Sequence, residues 1–95
     1  MTELNAFDGS WVQTLSGGPY GFGQPVSVTF DGTHLSVSNL GGNSVTELNA
    51  SNGSWVQTLS RGSYGFNQPV GIAFDGTLLS VSNLGGNSVT EVSSK

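Results

Sequence analysis

Cysteine is absent from all 95 residues, which excludes disulfides and thiolate metal ligands. Positive charge is nearly absent too. Arg61 and Lys95 are the only Lys or Arg residues, charged residues make up 8% of the chain, and the formal net charge is −4. Affinity for nucleic acid comes largely from Lys and Arg on phosphates, so no nucleic-acid partner is expected. No apolar run approaches the roughly 20 residues of a helical membrane span, so no membrane partner is expected either. The opening MTELNAFDG has neither the basic start nor the apolar core of a secretory leader. Helical periodicity is missing as well: no segment keeps apolar residues at a 3.6-residue spacing over helical length, which predicts essentially no helix. None of these absences names a cellular compartment.

What the chain does have is a repeat. FDGTHLSVSNLGGNSVTE at 30–47 returns as FDGTLLSVSNLGGNSVTE at 74–91, with His34 against Leu78 as the one difference. The offset is 44 residues, from Trp11 to Trp55 and from Pro25 to Pro69. Laid on residues 45–95, residues 1–51 match at 37 of 51 positions. The repeat units are therefore about 1–44 and 45–88, and a unit of this kind cannot bury its apolar face alone. Fifteen glycines and abundant Ser, Thr and Asn predict closely spaced turns.

Strands are expected at 1–6, 11–15, 26–30, 34–38, 44–48, 55–59, 70–74, 78–82 and 88–92. Val26, Val28 and Phe30 alternate with polar residues and share one face. Asp-Gly at 8–9, 31–32 and 75–76 and Asn-Gly at 52–53 supply the left-handed backbone of tight turns. NLGGN at 39–43 and 83–87 turns the chain again, with Asn39, Asn43, Asn83 and Asn87 read as turn residues that tolerate that conformation. Longer loops, SGGPYGFGQP and SRGSYGFNQP, join one unit to the next. Four short strands in about 40–45 residues, joined by three tight turns, predict an all-β chain of four-stranded antiparallel β-propeller blades, two per chain. A parallel solenoid is the rival, and its coils usually need a shorter period.

QPVGIAFDG at 68–76, VSN at 37–39 and 81–83, and NSVTELN at 43–49 resemble the repeats of NHL-type and YVTN-type propellers. The resemblance covers nearly the whole chain. It implies that 26–30 and 70–74 are innermost strands and that 11–15 and 55–59 are outermost. The second blade then lacks its outer strand, and 89–95 must close it with a neighbouring chain. Residues 11–15 of that neighbour would add to 88–92 by strand addition. NHL propellers usually have six blades and YVTN-type seven. Whole two-blade chains make six as a trimer or eight as a tetramer. The expected assembly residues are Trp11, Val12 and Leu15 on one side and Val89 and Val92 on the other. The copies at 1–6 and 88–92 then compete for one slot, and 88–92 is expected to hold it.

Candidate chemistry is sparse. His34, Asp31 and Asp75 ring one mouth of such a channel and are the weak candidates for a metal; turn chemistry is the favoured reading of both aspartates and a solvent-facing strand position that of His34. Glu3, Glu47 and Glu91 read as a solvated face. Tyr20, Tyr64, Phe22, Phe66, Trp11 and Trp55 read as seals between blades, with stacking on sugars as the alternative. One histidine cannot furnish a nucleophile–base pair in each of two near-identical units. No catalytic residue or cofactor is expected, and the His and Glu clusters of lyase and lactonase propellers do not carry over. The sequence thus points to a non-catalytic, self-assembling scaffold, with its own copies as partner. High identity between the units fits a recent duplication or an engineered version of one. A glycan- or peptide-binding propeller module with repeated sites is the alternative, and a lyase- or lactonase-like enzyme is a distant third.

Overall fold

The computed structural model describes residues 1–4, 9–16, 20–60 and 62–93. Among them the chain is all-β, with a 3-10 turn at Gly62–Tyr64 and no α-helix. The strands are β1 (Thr2–Leu4), β2 (Trp11–Thr14), β3 (Pro25–Phe30), β4 (His34–Asn39), β5 (Ser44–Asn49), β6 (Trp55–Leu59), β7 (Pro69–Phe74), β8 (Leu78–Asn83) and β9 (Ser88–Ser93). They form three antiparallel sheets: β1–β2, β3–β4–β5–β6 and β7–β8–β9. No sheet closes on itself. The expected strands are all present. Residues 5 and 6 of the first, and the turn residues 7 and 8, lie outside the described residues.

Pro25 and Pro69 begin strands rather than end loops. At the first position of an edge strand a missing N–H costs no ladder bond. The registers of the two units coincide down to their irregularities. β3 pairs with β4 and β7 with β8 with the same slip, between Pro25 and Ser27 and between Pro69 and Gly71. β1 pairs with β2 as β5 pairs with β6, each with a slip after the glutamate. These slips are bulges, which put one extra residue into one strand and sharpen its twist.

The turn NLGGN is the tightest place in the unit. Asn43 and Asn87 adopt the left-handed conformation, at φ 50° and 49°. Asn39 and Asn83 do not, contrary to the reading of all four as turn residues. Each ends a strand and is buried. The Asn39 amide donates to Ser44 Oγ at 3.1 Å and to Thr46 Oγ1 at 2.9 Å. Thr46 Oγ1 in turn donates to the Tyr20 carbonyl at 2.8 Å. Gln24 and Gln68 are also left-handed, at φ 54° and 53°. The Gln24 carbonyl thereby accepts from Leu40 N at 3.0 Å while the Gly23 carbonyl accepts from Gly41 N at 3.0 Å. A Cβ on Gly41 would lie 2.5 Å from Oε1 of Gln24, the exposed end of a flexible side chain that can swing aside.

β5 is the most enclosed strand, buried from Ser44 through Leu48. β4 and β6 flank it. Val45 packs with Leu59 and Val81, joined by Tyr64, Phe66, Ile72 and Val92 from the three-stranded sheet and its approach loop. At the other side of the four-stranded sheet, Leu15 lies against Gly53. Glu47, read as solvated, is 3% exposed. It survives burial because Gln57 Nε2 donates to its carboxylate. Only Glu91 faces solvent as expected, and Glu3 is half-buried.

Thr46→Val keeps the shape and removes the hydroxyl that joins Asn39 to the Tyr20 carbonyl. It should cost about 1–3 kcal/mol, because one N–H of the buried Asn39 amide and the half-buried Tyr20 carbonyl lose their partner. Urea unfolding of the purified chain checks this.

Candidate self-association surfaces

The contact between the four-stranded and three-stranded sheets is built from one hydroxyl, one amide and an apolar cluster. Ser38 Oγ, on β4, donates to the Val70 carbonyl at 3.0 Å. Asn43 Oδ1 accepts from Gln68 N at 2.8 Å, aimed there by the left-handed turn that carries it. The Val45–Leu59–Val81 cluster joins the same two sheets. Tyr64 and Phe66 pack on it with ring centroids 5.5 Å apart.

Most of these groups have a counterpart 44 residues away on a surface that this chain leaves open, while Leu15 and Val37, the counterparts of Leu59 and Val81, are already buried. Ser82 corresponds to Ser38, Asn87 to Asn43 and Val89 to Val45. All three are exposed at the far face of the three-stranded sheet, where Val70, Leu84 and Ser88 help to border a groove of about 570 Å³. Val26 corresponds to Val70, Gln24 to Gln68 and Val28 to Ile72. These are exposed on β3 and its approach, where Met1, Pro25 and Val37 help to border a second groove of about 270 Å³. Val45 and Val89 are the same residue at the same strand position, 0% and 65% exposed. Tyr20 and Phe22, the counterparts of Tyr64 and Phe66, are already stacked at 5.3 Å. β9 has β8 on one side and no strand on the other, where β5 has β6.

Of the residues expected to join chains, Val89 stands at the first of these surfaces, whereas Leu15 is buried beside Gly53. Val92 already packs within the chain against the cluster. Trp11 is 67% exposed, and its indole donates to Thr14 Oγ1 at 3.0 Å. Trp55, whose sheet has all four strands, makes the same bond to Thr58 and is still 47% exposed. The tryptophans therefore lie along their own outer strands, with Val12 exposed beside Trp11; Tyr64 and Phe66 form the seal. Sequence reasoning passed over Ser38 and Gln68 and read Asn43 only as a turn residue. Both units carry them in a Ser- and Asn-rich background, and only a sheet-to-sheet contact gives them a role.

Asp31 and His34 meet at the β3–β4 turn, with Nδ1 3.5 Å from Oδ2. Asp31 Oδ1 accepts from Thr33 N at 2.9 Å and His34 N at 2.6 Å, and Asp75 repeats this with Thr77 and Leu78. These are turns stapled by their own aspartates. Among the described residues no three His, Cys, Asp or Glu side chains gather as a metal group would. Burial by itself would raise the Asp31 carboxyl. The N–H groups of His34 and Thr33, with the His34 ring, outweigh it and hold the carboxyl below its ordinary 3.8. Asp75 is lowered by the N–H groups of Leu78 and Thr77.

A scan of protein-family models finds no match, and no curated protein or solved structure matches the chain.

A carboxyl lowered on folding contributes stability that is full above its unfolded value and is lost as pH falls through the folded one. The chain should therefore lose stability as pH falls below about 4, and Asp31→Asn with Asp75→Asn should flatten that loss. Thermal melts between about pH 2 and 6 measure both.

Proposed function

We propose that this chain is a non-catalytic scaffold that assembles with copies of itself into a β-propeller ring. The three antiparallel sheets are then one complete blade, the inner three strands of a second, and the outer hairpin of a third. The observation that carries this reading is the pair Val45 and Val89. One is sealed by the following sheet and the other awaits an equivalent one. A second copy supplies the counterpart of every group around Val45: Leu15 for Leu59, Val37 for Val81, Tyr20 for Tyr64, Phe22 for Phe66 and Val28 for Ile72. Ser82 then meets the Val26 carbonyl as Ser38 meets Val70, and Asn87 meets Gln24 N. β2 of the second copy pairs with β9 as β6 pairs with β5, completing the blade.

This contact is head-to-tail, so it ends only by closing as a ring. The resemblance to NHL repeats favours six blades, and three chains make six. The fold's liabilities support the same reading. Val26, Val28, Phe30, Leu84 and Val89 are each about half exposed or more, and an open strand edge beside such a face invites pairing.

Native mass spectrometry should find an assembly of three times the 9.8 kDa chain, with four copies as the eight-blade outcome. Val89→Asp should reduce it to single chains, since an unpaired carboxylate cannot enter an apolar seal without heavy cost. A well-folded monomer at low concentration in the unaltered chain sinks the proposal.

A further inference from the structure

We infer that the inner edge of β2 is the docking surface for β9 of a second copy, and that β1 is an internal mimic covering that edge beforehand. This deepens the ring reading and rests on it. The registers of β1 and β5 on their outer neighbours coincide. β1 lies on β2 through Thr2↔Thr14, Glu3↔Gln13 and Leu4↔Trp11. β5 lies on β6 through Thr46↔Thr58, Glu47↔Gln57 and Leu48↔Trp55. β9 stands against β8 as β5 stands against β4, with Val81↔Thr90 matching Val37↔Thr46. β1 and β9 are therefore two claimants for the same edge of a β2 strand.

Side chains repeat the pattern. Gln13 Nε2 donates to the Glu3 carboxylate as Gln57 Nε2 donates to Glu47. Glu91 holds the corresponding place on β9 and is exposed. Docking exchanges Glu3 for Glu91 on Gln13. It also exchanges Met1, whose carbonyl accepts from Leu15 N at 2.7 Å, for Val89 against Leu15.

The claimants are held unequally. β1 pairs over three residues and has no strand on its other side. The N-terminal ammonium adds one bond to the Leu15 carbonyl, at 3.0 Å, and Thr2 is exposed. β9 pairs with β8 over six residues. Thr90 is pinned at both ends, accepting from Asn83 Nδ2 at 2.9 Å and donating to the Tyr64 carbonyl at 2.7 Å. A second copy thus brings a strand already anchored in a three-stranded sheet, together with the Val89 seal. β1 leaves with three pairs. Until then β1 satisfies the β2 edge and lowers the fraction of chains competent to dock. The apparent affinity falls by that fraction.

The test compares three chains diluted from urea: the full chain, one lacking residues 1–4 and one ending at Asn87. Light scattering follows assembly and hydrogen exchange reads the product. Removing residues 1–4 should speed association roughly tenfold and leave the final mass per ring changed only by the deletion. The chain ending at Asn87 should not assemble. In the full-length ring, amides of 88–93 should exchange slowly and those of 2–4 fast. If the chain lacking 1–4 assembles no faster, β1 is no mimic while the ring stands; if the chain ending at Asn87 assembles normally, neither β9 nor Val89 joins the chains and both readings fall. A full chain that stays monomeric overturns the ring reading and this one together.

Discussion

The hydroxyl of Thr46 holds the unit together. It accepts from the Asn39 amide and donates to the Tyr20 carbonyl, so one side chain ties a strand end, a central strand and the incoming loop. Thr90 does the same for Asn83 and Tyr64. Loop position follows from this. Once the Tyr64 carbonyl is fixed, its ring and that of Phe66 lie on Val45, Leu59 and Val81, and the two sheets are sealed. Gln24 and Gln68 adopt a backbone conformation that side chains resist, at roughly 1–2 kcal/mol each. Their carbonyls satisfy turn amides that would otherwise be left without partners.

Much of the fold was legible because a 44-residue repeat multiplies weak local signals. Alternation at Val26–Phe30 and the Asp-Gly turns marked strands and hairpins, and the second copy marked them again. Burial was not legible, because a period of two says which residues share a face and not what covers it. Glu47 and Glu91 occupy the same place in the same strand, yet one is enclosed and the other solvated. Asn39 looked like Asn43 in a turn-rich run. Only the register, which places Asn39 opposite Ser44, gives its amide two hydroxyls to bond. The candidate surface was half legible. Counting strands gave the open edge of β9, but the roles of Ser38 and Asn43 depend on how one sheet leans on the next.

Identical residues here have different surroundings, and position along the chain decides which. Val45 lies inside and Val89 at an end; Leu59 is matched by Leu15. Near-identity between units therefore has a physical meaning beyond ancestry. A face that must fit its neighbour within the chain is also able to fit the same neighbour outside it.

The shared Thr-Glu register of β1, β5 and β9 has a consequence for the route to the native state. Three segments of nearly one sequence can each pair with β4, β8, β2 or β6, and the enthalpy of a right and a wrong match is almost the same. Discrimination then falls to chain topology. Hairpins joined by NLGGN or by Asn-Gly close quickly at small entropic cost, whereas a crossed pairing must close a loop tens of residues longer. The turns thus bias pairing toward hairpin neighbours, because the shorter loop costs less entropy to close.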